Sequence, residues 1–334
     1  MPLLVAATQR EARHERHFDR GLGCPCAALP PSGRPVVTGA ELIVGLDAGG
    51  TKLGVRAEAL DGSRVVDVAL PAEEWSASPA GDAARWLHAR IRRVLPEGST
   101  VAALGVGAQG LDTEEHAREL QEELGGLGYR AAVVNDAQLL VPAAGLQSGI
   151  GVIAGTGSIA VGSDASGRTL FAGGWGWVLG DEGGAPAIVR EATVAALRAD
   201  DEGAPDDGLL SALVRAFGVD AAPALARAVN DDPTPENWGP RAVAVFAAAD
   251  AGSVLAVGVI ESAGQNLAAL VDRLVARGAA GSDVVVAGSV FVHQPRLLAA
   301  FTRALDATRP GLAVVPLTDA PVAGAVELAR RLVA

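Results

Sequence analysis

Residues Leu53, Val55, Ala57 and Ala59 are apolar, while Gly54, Arg56 and Glu58 between them are not. That period of two marks a strand with one face toward a core. The apolar run Leu42 to Leu46 precedes it, separated by Asp47-Ala-Gly-Gly-Thr-Lys52. Asp61-Gly62, a hairpin turn signal, follows, and Val65, Val66 and Val68 begin a return strand. The unit is strand, glycine turn, strand, Asp-Gly turn, strand. It recurs about a hundred residues later: Ile150 to Ala154, the turn Gly155-Thr-Gly-Ser158, extended chain from Ile159 to Gly162, a turn over Asp164 to Gly167, and a return through Arg168 to Phe171. Two copies of one hairpin unit predict two related halves facing each other across a cleft.

Helical spacing lies between and after these units. Ser78 with Pro79 opens a helix whose apolar stripe is Ala84, Leu87, Ile91 and Val94. Asp112 with Glu115 predicts a capping box for a second helix, running through Leu124 to Gly125-Gly126. Ala131 to Val134 and Val284 to Ala287 read as buried strands. The most apolar stretch, Ala242 to Ile260, nears the length of a membrane span. Asp250, Gly252 and Ser253 interrupt it, and Leu267, Leu270, Val271 and Leu274 continue at helical spacing. A buried pair of helix segments explains this better than a bilayer. Strands alternating with helices make the chain α/β.

At 334 residues, 49% apolar, the chain can fill two cores, taken as 41–146 and 147–334. Residues 1–40, with alternating Arg and acidic residues and a Pro-rich end, read as an extension lacking the apolar core of a secretory signal. A net charge of −12 disfavours nucleic acid or an anionic membrane as partner. Cys24 and Cys26, too few for a disulfide framework or a zinc site, point to the cytoplasm. None of the five histidines falls in a ligand cluster by spacing.

The loop after the first strand does not open a helix, so it is no dinucleotide fingerprint, and Lys52 lies at the wrong spacing for a P-loop. Two readings remain: an ordinary tight hairpin, or a nest of backbone N–H groups aimed at phosphate, with the Thr51 and Thr156 hydroxyls adding donors. Asp47 would repel bare phosphate, so the second reading implies a divalent cation, Mg2+, between them. Lys52 is the sole lysine among 27 basic residues, and a compact ammonium suits a phosphate. Asn135-Asp136-Ala137 ends a buried strand. Asp136 there is either a helix cap or a base placed to take a proton from an attacking hydroxyl.

The ordered set Asp47-Ala-Gly-Gly-Thr-Lys52, Asn135-Asp136-Ala137, Gly155-Thr-Gly-Ser158, Gly173-Gly-Trp-Gly176 and Gly180-Asp-Glu-Gly183 resembles the N-acetylglucosamine kinase and BadF/BadG/BcrA/BcrD ATPase family, over about residues 41 to 334. That resemblance implies two actin-like (ribonuclease H-like) lobes, with mixed sheets flanked by helices and an ATP cleft between them, and a last helix over about 320–334 that packs back toward the N-terminal lobe. It implies that Asp47 orients Mg2+, and that Gly49, Gly50, Thr51, Lys52, Gly155, Thr156, Gly157, Gly288 and Ser289 hold the nucleotide. Asp136 would be the catalytic base. Glu74, Gln109, Asn135, Ser158, Ile159, Gly174, Trp175, Gly176 and Asp181 would line the acceptor. Where acetylated-sugar kinases place an asparagine, this chain reads Pro71-Ala-Glu-Glu-Trp75, so Glu73 or Glu74 could pair with an amine. The implied function is an ATP-dependent hexosamine kinase acting on the 6-hydroxyl of N-acetylglucosamine or glucosamine, with a homodimer as one option for assembly. A BadF-type ATPase without a sugar acceptor and a glucokinase-like hexokinase are the alternatives. An iron–sulfur activator and a DNA-binding sugar sensor fit poorly, for want of ligating cysteines and of a helix-turn-helix.

Overall fold

The computed structural model describes residues 39–111 and 113–334. Apart from its last two residues, the extension expected over 1–40 lies outside them, as does Asp112.

Two five-stranded mixed sheets are built on one plan. The first comprises β1 (Glu41–Ala48), β2 (Lys52–Ala59), β3 (Arg64–Pro71), β4 (Thr100–Ala108) and β5 (Ala131–Asn135), in the order β3-β2-β1-β4-β5. The second comprises β6 (Ile150–Ala154), β7 (Ser158–Ser163), β8 (Thr169–Gly173), β9 (Asp283–Ala287) and β10 (Ala313–Pro316), in the order β10-β9-β6-β7-β8. In each, three antiparallel strands come from the repeated unit, and two further strands run parallel to its first member. The repeat legible in the sequence is therefore the sheet plan itself. β4 and β10 have no counterpart in the sequence reading.

Helices α1 (Ala80–Val94) and α2 (Glu114–Gly126) cover one face of the first sheet, where Leu42, Val44 and Leu46 meet Leu87, Ile91, Leu120 and Leu124. Two helix starts differ from expectation. Pro79, not Ser78, occupies the α1 cap and makes no side-chain bond. At α2 the Thr113 hydroxyl accepts the His116 N–H, one residue beyond the expected Asp112 cap. After β5 a 3-10 turn (Asp136–Leu139) leads into α3 (Leu140–Ala143), which lies against β6 and β9 of the second sheet. The outer face of that sheet carries α4 (Ala185–Asp201), α5 (Leu209–Phe217), α6 (Ala222–Asp231), α7 (Pro235–Trp238), α8 (Ala242–Asp250) and α9 (Val254–Ala276), then α10 (Ser289–His293) and α11 (Pro295–Thr308). The long apolar stretch is thus α8 and α9. By length and composition α9 would pass for a membrane span, but Val259, Ile260, Leu267, Leu270, Val271 and Leu274 are buried in the second core.

The last helix, α12 (Val322–Val333), returns to the inner face of the first sheet, where Val326 and Ala329 meet Ile43 and Ala103. Its seat is cut by glycine. A Cβ on Gly105 would lie 1.8 Å from the Ala325 carbonyl oxygen, and one on Gly45 would lie 2.6 Å from the Val326 nitrogen. Only bare backbone lets the helix approach so closely. α3 and α12 also touch each other. Each half of the chain therefore ends in a helix packed on the opposite sheet.

Candidate active site

Register places the chemistry. β1, β4 and β5 run parallel, with Ala48 opposite Ala108 and Ala108 opposite Asn135. Asp47, Gln109 and Asp136 consequently leave the same, C-terminal edge of the sheet, where α/β folds open their ligand clefts. The second sheet does likewise: Ile153 pairs Ala287, so the Gly155–Gly157 turn lies beside Gly288 and Ser289. Gly288 has φ +102° and packs over the Ala154 backbone.

The first turn is closed by the Gly49 N–H donating to the Lys52 carbonyl at 3.0 Å. The N–H groups of Gly50 and Thr51 find no backbone acceptor among the described residues. Thr51, Lys52 and Thr156 are exposed. These are the features of an anion nest. The second turn has the Gly155 N–H donating to the Gly157 carbonyl at 2.9 Å, and the first amide of α4, on Ala185, donates to the Gly155 carbonyl at 2.8 Å.

Burial, followed by the negative charge of nearby Asp136, pushes the Asp47 carboxyl up to about 7, and Lys52 offsets this in part. Two carboxylates within electrostatic reach of each other favour a cation between them. Among the described residues no group of three or more His, Cys, Asp or Glu side chains could hold a metal alone. The donor set fits Mg2+, which keeps waters and takes one or two carboxylates together with substrate phosphates.

Asp136 begins the 3-10 turn, and its Oδ1 accepts the Ala137 N–H at 2.9 Å. Asn135 is the cap: its Oδ1 accepts the Ala137 N–H at 3.0 Å and its Nδ2 donates to the Leu111 carbonyl at 3.2 Å. Buried and bonded at both ends, this amide holds the turn, and one N–H and one lone pair remain for an acceptor. The buried Ser158 hydroxyl donates to the Glu182 carbonyl at 2.9 Å, which fixes its direction. Ile159 packs under Gly174.

Asp181, buried with φ +56°, lies against Gly157, where a Cβ would come within 2.9 Å of Oδ2. Burial raises its pKa, opposed by the backbone N–H groups of Ser158 and Gly176. It ties the glycine turn to the loop that carries Trp175. That tryptophan is 76% exposed, so it is no core residue and presents its ring to solvent.

Gln109 extends over the first turn, its Oε1 2.8 Å from where a Gly50 Cβ would stand, and its carbonyl accepts the Trp75 indole N–H at 3.4 Å. Trp75 packs at a 58° tilt against Trp86, ring centroids 5.1 Å apart, and the Trp86 indole N–H donates to the Glu73 carbonyl at 3.2 Å. Arg90 lies over Trp86, 3.3 Å from the ring centroid, within electrostatic reach of Glu74 and Glu73. Sequence reasoning did not find this cation, since helical position alone does not reveal which loop an arginine faces.

The chain is similar to several known proteins. The BadF/BadG/BcrA/BcrD ATPase family model matches residues 44–329. The chain is 32% identical over 170 residues to the N-acetylmuramic acid/N-acetylglucosamine kinase of Clostridium acetobutylicum, covering 48% of this chain and 55% of that protein. It is 25% identical over 191 residues to the N-acetyl-D-glucosamine kinase of Dictyostelium discoideum, covering 52% and 60%. The matched segments thus span little more than half the length of these curated relatives. The crystal structure of a proposed N-acetylglucosamine kinase from Chromobacterium violaceum superposes with a TM-score of 0.66 at 24% identity, over 87% of this chain and 99% of that one, a likeness of fold. With a family match running from β1 into α12, the chain belongs to the BadF/BadG/BcrA/BcrD ATPase family.

Proposed function

We propose that the chain is an ATP-dependent hexosamine kinase that moves the γ-phosphate of ATP to the 6-hydroxyl of an amino sugar. The observation that carries this is the pair Asp47 and Asp136, close enough for one charge to raise the other's pKa, at the sheet edge beside a phosphate-type turn. The names of the two curated relatives support the acceptor class.

In this reading Asp136 takes the proton from the sugar hydroxyl as it attacks, and the turn capped by Asn135 fixes its direction. The N–H groups of Gly50 and Thr51, the Thr51 and Thr156 hydroxyls and the Lys52 ammonium hold the phosphates. Asp47 would hold Mg2+ through its waters, and the ion supplies charge neutralisation on the phosphoryl oxygens. Gly155, Gly157, Gly288 and Ser289 bound the nucleotide from the second lobe, and Gly49 closes the first turn. Gly174, Trp175, Gly176 and Asp181 border the acceptor, Trp175 offering a flat face to a pyranose ring.

Because Arg90 lies within electrostatic reach of Glu74 and Glu73, a cation of the protein already offsets their charge. An N-acetylated sugar is therefore favoured over a free amine, and the chain works as two lobes, 41–146 and 147–334. The test is ADP release coupled to an indicator, with Mg-ATP against N-acetylglucosamine, glucosamine, N-acetylmuramic acid and glucose. The expected result is turnover on an acetylated sugar well above glucosamine and glucose. Equal background hydrolysis with all four would leave an ATPase and remove the acceptor class.

A further inference from the structure

The turn that carries Asp136 is held from outside the reacting groups. Gln138 Oε1 accepts the Asn135 N–H at 3.0 Å, completing a reciprocal cap with the Asn135 side chain. An amide whose oxygen is committed on one side presents its nitrogen on the other. That nitrogen, Nε2, donates to Thr169 Oγ1 at 3.1 Å. Thr169 is the first residue of β8, in the second sheet, 31 residues away in the chain. Its own N–H points to Glu114 Oε1 at 3.4 Å, on the first residue of α2. Both polar groups of Thr169 thus reach into the first lobe.

The other end of β8 gives the bridge its meaning. The strand is five residues long and ends at Gly173, from which the loop with Gly174, Trp175 and Gly176 departs. One short strand therefore joins the turn of the base to the loop beside the acceptor. The bridge also crosses the margin of a cavity of about 280 Å³, bounded by Leu111, Thr113, Gln121, Val133 and Phe171 as well as by Gln138 and Thr169. Ala137 and Leu140 pack on β6 at Gly151, but close packing does not fill the place beside β8, where the hydrogen bond is the link between turn and strand.

We propose that Gln138 is a positioning residue for phosphoryl transfer: through Thr169 it registers the Asp136 turn against β8 and so against the acceptor loop. The proposal rests on the kinase reading above. Thr169→Val keeps the side-chain shape and removes the acceptor, whereas Thr169→Ser keeps the hydroxyl. Thr169→Val is expected to lower kcat on the best sugar about tenfold or more with KM for ATP within about twofold, and Thr169→Ser to recover most of the loss. Gln138→Ala loses the cap as well and falls further, and adding Thr169→Val to it changes kcat no more.

Wild-type kcat in Thr169→Val overturns the proposal. So does an equal loss in Thr169→Ser, since the methyl contact and not the hydroxyl would then be at work. If the wild-type chain turns over no sugar, the kinase reading fails by itself. The bridge is then decided by amide hydrogen exchange: faster exchange at Ala137 and Gln138 in Thr169→Val, with β4 unchanged, supports it, and identical exchange overturns it.

Discussion

Asp47 combines chemistry and instability in one side chain. Burial and the charge of Asp136 push its carboxyl up to about 7 in the fold, against an ordinary 3.8. The folded state therefore binds the proton more tightly, and stability is full below pH 3.8 and falls as pH rises through about 7. Asp47→Asn removes that penalty. Because the side chain is partly accessible, the gain is on the order of 1–2 kcal/mol, a few degrees in Tm at pH 8, and none at pH 3.5. The same variant should lose Mg-ATP-dependent turnover, so thermal melts and ADP release should move in opposite directions. Asp136→Asn should lower kcat by about 10²- to 10⁴-fold while ATP binding, read by calorimetry, persists. Near-normal kcat would remove its role as base. At this scale the sequence shows residue types well and their commitments poorly. Asn135 and Ser158 have the chemistry of acceptor contacts, and the sequence does not show that Leu111 and Glu182 also bind them.

Among the elements, β1 to β3 and β6 to β8 are legible because alternation, glycine turns and Asp-Gly signals are local. β4 is not. Its sequence, TVAALGVGA, is buried on both faces over most of its length, and a strand covered on both sides shows no alternation. Half of its meaning lies in α12, more than two hundred residues later in the chain. Gly105 is the sharpest case. A methyl group there meets backbone, which cannot turn aside as a side chain can. Gly105→Ala should cost at least about 2 kcal/mol, seen as a lower urea midpoint, while Gly125→Ala, with open space around it, should not destabilise. The helix caps fall one residue from expectation at α1 and α2, because Ser, Thr, Asp and Pro in one cluster all satisfy the same local preference.

At the scale of the molecule, the segment between β10 and α12 is pinned to the first sheet. Arg56, nearly buried on β2, donates to both oxygens of Asp319 at 2.8 Å each, and its second partner is Asp67 at 3.2 Å. The Arg56 hydrogen bonds hold the Asp319 carboxyl down to about 2. A depressed carboxylate contributes stability above its unfolded pKa, which is lost as pH falls from about 4 through 2. Asp319 is 44% exposed, so solvent screening limits the contribution to about 1 kcal/mol. Asp319→Asn should lower the denaturation midpoint at pH 7 and flatten its decline between pH 4 and 2. An unchanged acid profile would show that Asp67 alone satisfies Arg56. The sequence by itself determined the repeated hairpin unit, the α/β class and the glycine turns, because each is written in contiguous residues through period and turn chemistry. It also placed Asp47 and Asp136 at strand ends. Only the tertiary structure decided that β1, β4 and β5 lie side by side so that those carboxylates share one space, that α3 packs on the second sheet, and that Gln138 reaches Thr169. Those are pairings across long stretches of chain, set by which faces can be buried together, and no local pattern encodes them.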